Sequence, residues 1–262
     1  MKNIIHIGIL FVFLCVLGGC AAFQSARVEP DPGILRVGIT PDAPPLIYKQ
    51  NETFSGLEAD MAAKLAAYLN KTPVFVELPW TEQISALLDN QTDIIMSGMS
   101  ITPARQTQIA FSKPYFKSGQ MILYRQLQNA NYINTVEAVL AQSITWRMGV
   151  VKGTTGEFLV RNKNIGFKSI TTYEDQEKAL SALMAGRIDV FIYDAPNALM
   201  LAARHRGDGI TPLPVMLNEE YLAWGLRKSD PDLIAAVNAF IDRITQDGTL
   251  KTTVKQWIPL AR

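Results

Sequence analysis

Short apolar runs alternate with helical repeats, twice over, and that alternation restricts the architecture more than any other feature of the chain. Leu35 to Ile39, Val74 to Glu77 and Ile94 to Met96 are each bounded by turn or polar residues and read as buried strands. Between them Leu57, Met61, Leu65 and Leu69 recur every four residues, and Ile84, Leu87 and Leu88 follow the same helical logic. Strand, helix, strand, helix, strand implies an α/β fold with a mostly parallel sheet flanked by helices. The series repeats with Met148 to Val151, a helix from about Glu157, a strand near Ser169 to Thr171, a helix from Glu174 to Ala185 closed by Gly186, and a strand from Val190 to Tyr193. Two sheets, and so two lobes, are expected.

Gln120 to Tyr124 and Tyr221 to Leu226 lack a helical period and flank the second series, which makes them the expected crossovers. Residues 34–122 then begin the first lobe, 123–222 form the second, and 223–262 return to the first. In that tail Asp230-Pro231 opens a helix with Leu233, Val237, Phe240, Ile241 and Ile244 on one face. Gly248 closes it before a shorter amphipathic stretch at Leu250, Val254 and Trp257.

The first residues have the form of an export signal: Lys2, an apolar run from Ile4 to Leu17, then small residues up to Cys20. The run is too short to cross a bilayer stably. Leu17-Gly18-Gly19-Cys20 also resembles a bacterial lipobox, which implies removal of residues 1–19 and a lipid, including palmitate, on Cys20. An ordinary secretory signal is the alternative. Cys15 would leave with the signal, so no disulfide is expected and stability must come from the core. Residues 20–33, with Pro30 and Asp31-Pro32-Gly33, read as a flexible tether. A formal net charge of +1 with no basic stripe argues against a nucleic-acid partner.

Candidate chemistry lies in three segments. In Ser97-Gly98-Met99-Ser100-Ile101-Thr102-Pro103-Ala104-Arg105, threonine and proline open a helix, and Arg105 sits in its first turn with Ser97 and Ser100 close by. A guanidinium there matches a carboxylate bidentately, although a solvated arginine fits the local pattern too. Gly153-Thr154-Thr155-Gly156 turns from a strand into a helix, at the sheet edge where open α/β folds bind ligands. It equally reads as a plain capped turn. Asp194 ends a strand before Ala195-Pro196, so it suits a helix cap, an ammonium receptor, or both at once. Trp80, after Leu78-Pro79, is either a core aromatic or the wall of a binding cleft.

Leu35-Arg36-Val37-Gly38, Gly56-Leu57-Glu58-Ala59-Asp60-Met61-Ala62, Ser97 to Arg105, Phe111-Ser112-Lys113-Pro114-Tyr115, Gly153-Thr154-Thr155 and Asp247-Gly248-Thr249-Leu250 resemble, in order and spacing, the family 3 solute-binding proteins of ABC transporters for polar amino acids. The resemblance implies a two-lobed periplasmic-binding-protein type II fold that closes on an amino acid, an ABC permease partner, a monomer, and no catalysis or cofactor. It assigns the ligand carboxylate to Arg105 with help from Thr154 and Thr155, the α-ammonium to Asp194, further contacts to Ser97, Met99 and Ser100, and an aromatic wall to Trp80.

Three positions depart from the family pattern. Ala43 replaces a common aromatic, Leu57-Glu58 a frequent Phe-Asp pair, and Thr40 an acid often found in relatives that bind basic side chains, which tilts against lysine, arginine and histidine. Asp42, Tyr48, Glu58 and Lys152 are candidate readers of the ligand side chain. A dehydratase is a rival reading, since some members of the fold resemble cyclohexadienyl dehydratases. His205 stands between Arg204 and Arg206, and no Ser-His-Asp set, metal cluster or phosphate loop is present in the sequence. A sensory receptor on the same fold is the other alternative.

Overall fold

Two five-stranded sheets built to one plan organise the computed structural model, which describes residues 31–127, 129–162 and 165–259. In the first, Thr72–Glu77, Ile34–Ile39 and Ile94–Ile95 lie parallel, and Gly225–Leu226 then runs antiparallel between Ile94–Ile95 and Ala110–Phe111. In the second, Ser169–Tyr173, Arg147–Val151 and Val190–Asp194 lie parallel, and Gln120–Arg125 then runs antiparallel between Val190–Asp194 and Ile210–Pro212. The sheets are therefore mixed, with the parallel part confined to the strands joined through helices. Gly225–Leu226 and Gln120–Arg125 each arrive from the other half of the molecule and need no helical crossover.

The connection itself is a short ladder of Phe116–Ser118 against Glu220–Leu222. Gln120–Arg125, expected as a connector, is instead a full strand of the second sheet, and Gly225–Leu226 belongs to the first. Both segments read as connectors because a buried strand and an extended crossover share the same lack of helical period.

The apolar repeat in helix Leu57–Tyr68 buries Leu57, Met61 and Leu65 against Leu35 and Val37 of the first sheet. Helix Pro231–Gln246 returns to the same core with Val237, Phe240 and Ile241, beside the fully buried Trp224. Each large side chain taken out of water there contributes about 1.5–3 kcal/mol. Asp230 caps that helix by accepting from the Leu233 amide at 3.2 Å, with Pro231 in the first turn. The second sheet packs on both faces. Phe191 and Tyr193 face helices Gln176–Met184 and Ala195–Arg204, while Ile192 and Val190 face Trp146 and Leu159. The region expected to be a signal, with Cys20 and most of the tether, lies outside the described residues.

Candidate functional site

The segment after Ile94–Ile95 is shaped by one buried carboxylate. Glu58, with no exposed surface, accepts from the Gly98 amide at 2.7 Å, the Tyr115 hydroxyl at 2.6 Å and the Trp224 indole at 2.9 Å. Burial pushes its carboxyl above the usual range, and the three donors pull it back. Gly98 takes a φ of +68°, and a Cβ there would stand 2.6 Å from Leu46, so only glycine fits the turn. Glu58 therefore shapes the loop from the core side, out of contact with solvent. Thr40 presents its amide to the Ser97 hydroxyl at 2.9 Å, tying the end of the first strand to the same loop.

Thr102 accepts from the Arg105 amide at 3.2 Å and Pro103 opens the helix, as the sequence predicts. Arg105 is only 6% exposed. Its guanidinium donates to the Ser100 carbonyl at 2.8 Å and to the Gly153 carbonyl of the second lobe at 3.1 Å, and lies 5.2 Å from the Trp80 ring centre. The Trp80 indole donates to that same Gly153 carbonyl at 3.0 Å. The aromatic wall thus stacks on the protein's own cation, worth about 1 kcal/mol or more when desolvated. Burial lowers the Arg105 pKa, while the negative charges of Asp194 and Glu220 oppose the shift. An arginine stays charged under both influences.

From the second sheet, the Asp194 carboxylate turns away from its own helix, where it forms no cap, and accepts from the Gln120 amide at 2.7 Å. The helix end needs little from it because Pro196 supplies no N–H. Burial and repulsion from Glu220 raise the Asp194 pKa to about 7, offset by the Gln120 bond and by Arg105. Gln120 also donates to the Thr155 hydroxyl at 2.9 Å, which in turn donates to Glu220 at 2.8 Å. Glu220 receives Ser100 of the first lobe at 2.5 Å and Asn218 at 2.7 Å as well. One carboxylate on the crossover ladder is thereby hydrogen-bonded to both halves.

A cavity of about 240 Å³ opens between the two sheets. Thr40, Asp42, Trp80 and Ser97 line it from the first lobe, and Val151, Thr154, Tyr193 and Asp194 from the second. Of the other predicted site residues, Arg105 lies behind Trp80, next to the cavity rather than on its wall. Ser100 and Thr155 hold Glu220, and the Met99 side chain packs with Leu87, Ile95 and Ile109. Tyr48 stacks edge-on with Trp257 and under Arg204, and Lys152 reaches Glu174 at 3.4 Å on the surface. Sequence reasoning passed over Gln120, Glu220, Tyr193, Asn197, Glu174 and Asp175. Asn197 donates to the Pro44 carbonyl across the lobes at 3.1 Å. Its place two residues into a helix gave no cue, whereas the acidic pair Glu174-Asp175 at a strand end was visible.

Two similar α/β halves joined by a paired crossing ladder, with a cavity between them, define a two-lobed ligand-binding fold. The chain belongs to the bacterial extracellular solute-binding proteins, family 3, which it matches over residues 35–259. It is 27% identical over 226 residues to the L-cystine-binding protein TcyJ of Escherichia coli K12, covering 86% of this chain and 82% of that one. It is 29% identical over 255 residues to the histidine-binding periplasmic protein of the same organism, covering 90% and 92%. Among solved structures it resembles an ancestral amino acid-binding protein described as a precursor of cyclohexadienyl dehydratase, with a TM-score of 0.75, 31% identity, and 86% and 95% of the two chains covered.

Proposed function

We propose that the protein binds a free amino acid in the interlobe cavity outside the cytoplasm and presents it to an ABC importer. The observation that carries this reading is the placement of a buried cation, Arg105, and a half-buried acid, Asp194, on opposite lobes within electrostatic reach of each other beside the cavity. A zwitterion bridging the two lobes makes contacts that exist only when they meet, so its binding energy favours closure. The ligand carboxylate takes N–H groups of Arg105 beyond the two given to carbonyls, and the ammonium lies at Asp194. Thr154, Ser97 and Trp80 complete the walls. Micromolar affinity corresponds to about 8 kcal/mol, within reach of two charge-assisted ends in a dry site.

The proposal includes a lipid on Cys20, with palmitate among its chains, that holds a monomer at a bacterial membrane through the tether of residues 20–33. The lipobox-like sequence supports it. Among the described residues no helix is long and apolar enough to cross a membrane. A thermal-shift screen of the twenty amino acids on protein beginning at Ala21, followed by calorimetry, tests binding. Saturable stabilisation by at least one of them is expected, and none by any would overturn the reading.

One observation favours a second reading. An acid titrating at about 7 next to a buried arginine is suited to proton transfer, and a relative of this architecture is described as a dehydratase precursor. Product formed from prephenate or arogenate would establish it.

A further inference from the structure

The charge lining the cavity goes beyond what a simple zwitterion requires. Arg105 and Asp194 already match the two ends of an amino acid. Asp42, Glu174 and Asp175 also line the cavity, and none of its lining residues is a lysine, arginine or histidine. Asp42 comes from the first lobe, on the hairpin strand Asp42–Ala43 paired with Ile47–Gln50. Glu174 and Asp175 come from the second, at the end of Ser169–Tyr173 and the start of helix Gln176–Met184.

The two sides are not equally compensated. Asp175 caps its helix, accepting from the Lys178 amide at 2.8 Å, and the Lys178 ammonium stands 2.7 Å away. Glu174 faces Lys152 at a loose 3.4 Å, both side chains more than half exposed. Asp42 has no cationic partner among the described residues. Burial and repulsion from Asp175 and Glu177 across the cleft lift its pKa to about 6. Tyr193, on the same cavity wall, has its hydroxyl raised by burial and by the charges of Asp42, Asp194 and Asp175. Three carboxylates against two exposed lysines leave one negative charge unmatched on the cavity wall. The carboxylates are not gathered as metal ligands: among the described residues no group of three or more His, Cys, Asp or Glu could hold a metal ion.

We propose that the ligand is an amino acid whose side chain carries a second positive charge, seated between Asp42 of the first lobe and Asp175 and Glu174 of the second. This rests on the amino-acid reading above and narrows it. Thr40, whose neutrality tilted the sequence reading against basic ligands, is engaged with the Leu78 carbonyl at 2.9 Å and the Gln83 amide at 3.0 Å. The acids that supply the charge stand two residues further on and on the opposite lobe. Their mutual repulsion opposes closure, and a cation between them reverses its sign, so the side chain adds to the driving force for closing.

Calorimetry with L-arginine, L-lysine, L-citrulline and L-norleucine tests the inference, because citrulline keeps the shape of arginine and lacks its charge. The expected result is at least 100-fold tighter binding of arginine or lysine than of its neutral counterpart, with Asp42→Asn cutting that ratio at least tenfold in a protein of unchanged circular dichroism. Equal or tighter binding of the neutral ligands, or a ratio untouched by Asp42→Asn, overturns the inference and leaves amino-acid binding standing. Failure of every amino acid to bind overturns both.

Discussion

Acidification from pH 8 to pH 5 should weaken the binding of a neutral amino acid about 100-fold, because the ligand ammonium needs Asp194 ionised. With the carboxyl titrating at about 7, roughly nine molecules in ten carry the charge at pH 8 and about one in a hundred at pH 5. Two pH units below the pKa correspond to about 2.7 kcal/mol. A ligand with a cationic side chain adds the titration of Asp42 at about 6, a further loss of about tenfold. The ligand-free protein should move the opposite way. An acid whose folded pKa is raised holds its proton more tightly folded than unfolded, so its effect on stability worsens as pH rises from about 4 to about 7. Calorimetry at half-unit intervals, with melting temperatures of the free protein beside it, measures both trends, and Asp194→Asn should flatten the first. Affinity constant within threefold from pH 8 to pH 5, in protein shown to be folded, would refute the assignment of the ammonium to Asp194.

Arg105→Ala should abolish measurable amino-acid binding and also lower stability by about 1–3 kcal/mol, since the Ser100 carbonyl loses its side-chain donor and the Gly153 carbonyl keeps only Trp80; calorimetry and urea titration read the two effects separately. Glu58→Ala strands three buried donors and should destabilise the fold by about 3–5 kcal/mol, with Glu58→Gln less severe; equal urea midpoints for wild type and Glu58→Ala would contradict the loop-shaping role. Asn197→Ala removes a bond between the lobes worth about 1 kcal/mol, so ligand dissociation in stopped-flow should accelerate about fivefold with little change in association.

The helices of the first lobe and the parallel strands of both sheets were legible because each carries a period that burial enforces: Leu57, Met61 and Leu65 fall on one face, and Val190 to Tyr193 are buried throughout. The antiparallel strand Gln120–Arg125 was not, since its pairing with Val190–Asp194 is set by topology rather than by local pattern. At the site, Thr102-Pro103 announced the helix that carries Arg105, and the strand end announced Asp194. Two things stayed hidden for the same reason. Gly153 is the point where Trp80 and Arg105 converge, and Glu58 reads from the sequence as a candidate contact to the ligand side chain because the Trp224 that holds it lies 166 positions away. Contacts between distant segments leave no periodicity to read.

Glu220 sits on the ladder that joins the two halves, and it accepts from Ser100 on one side and Thr155 on the other. Separating the halves strains or breaks at least one of these charge-assisted bonds, each worth about 1.5–3 kcal/mol. The resting balance between apart and together is therefore adjustable at residue 220, and the same change would ease the repulsion that holds the Asp194 carboxyl high, coupling how readily the halves meet to the charge of the cleft.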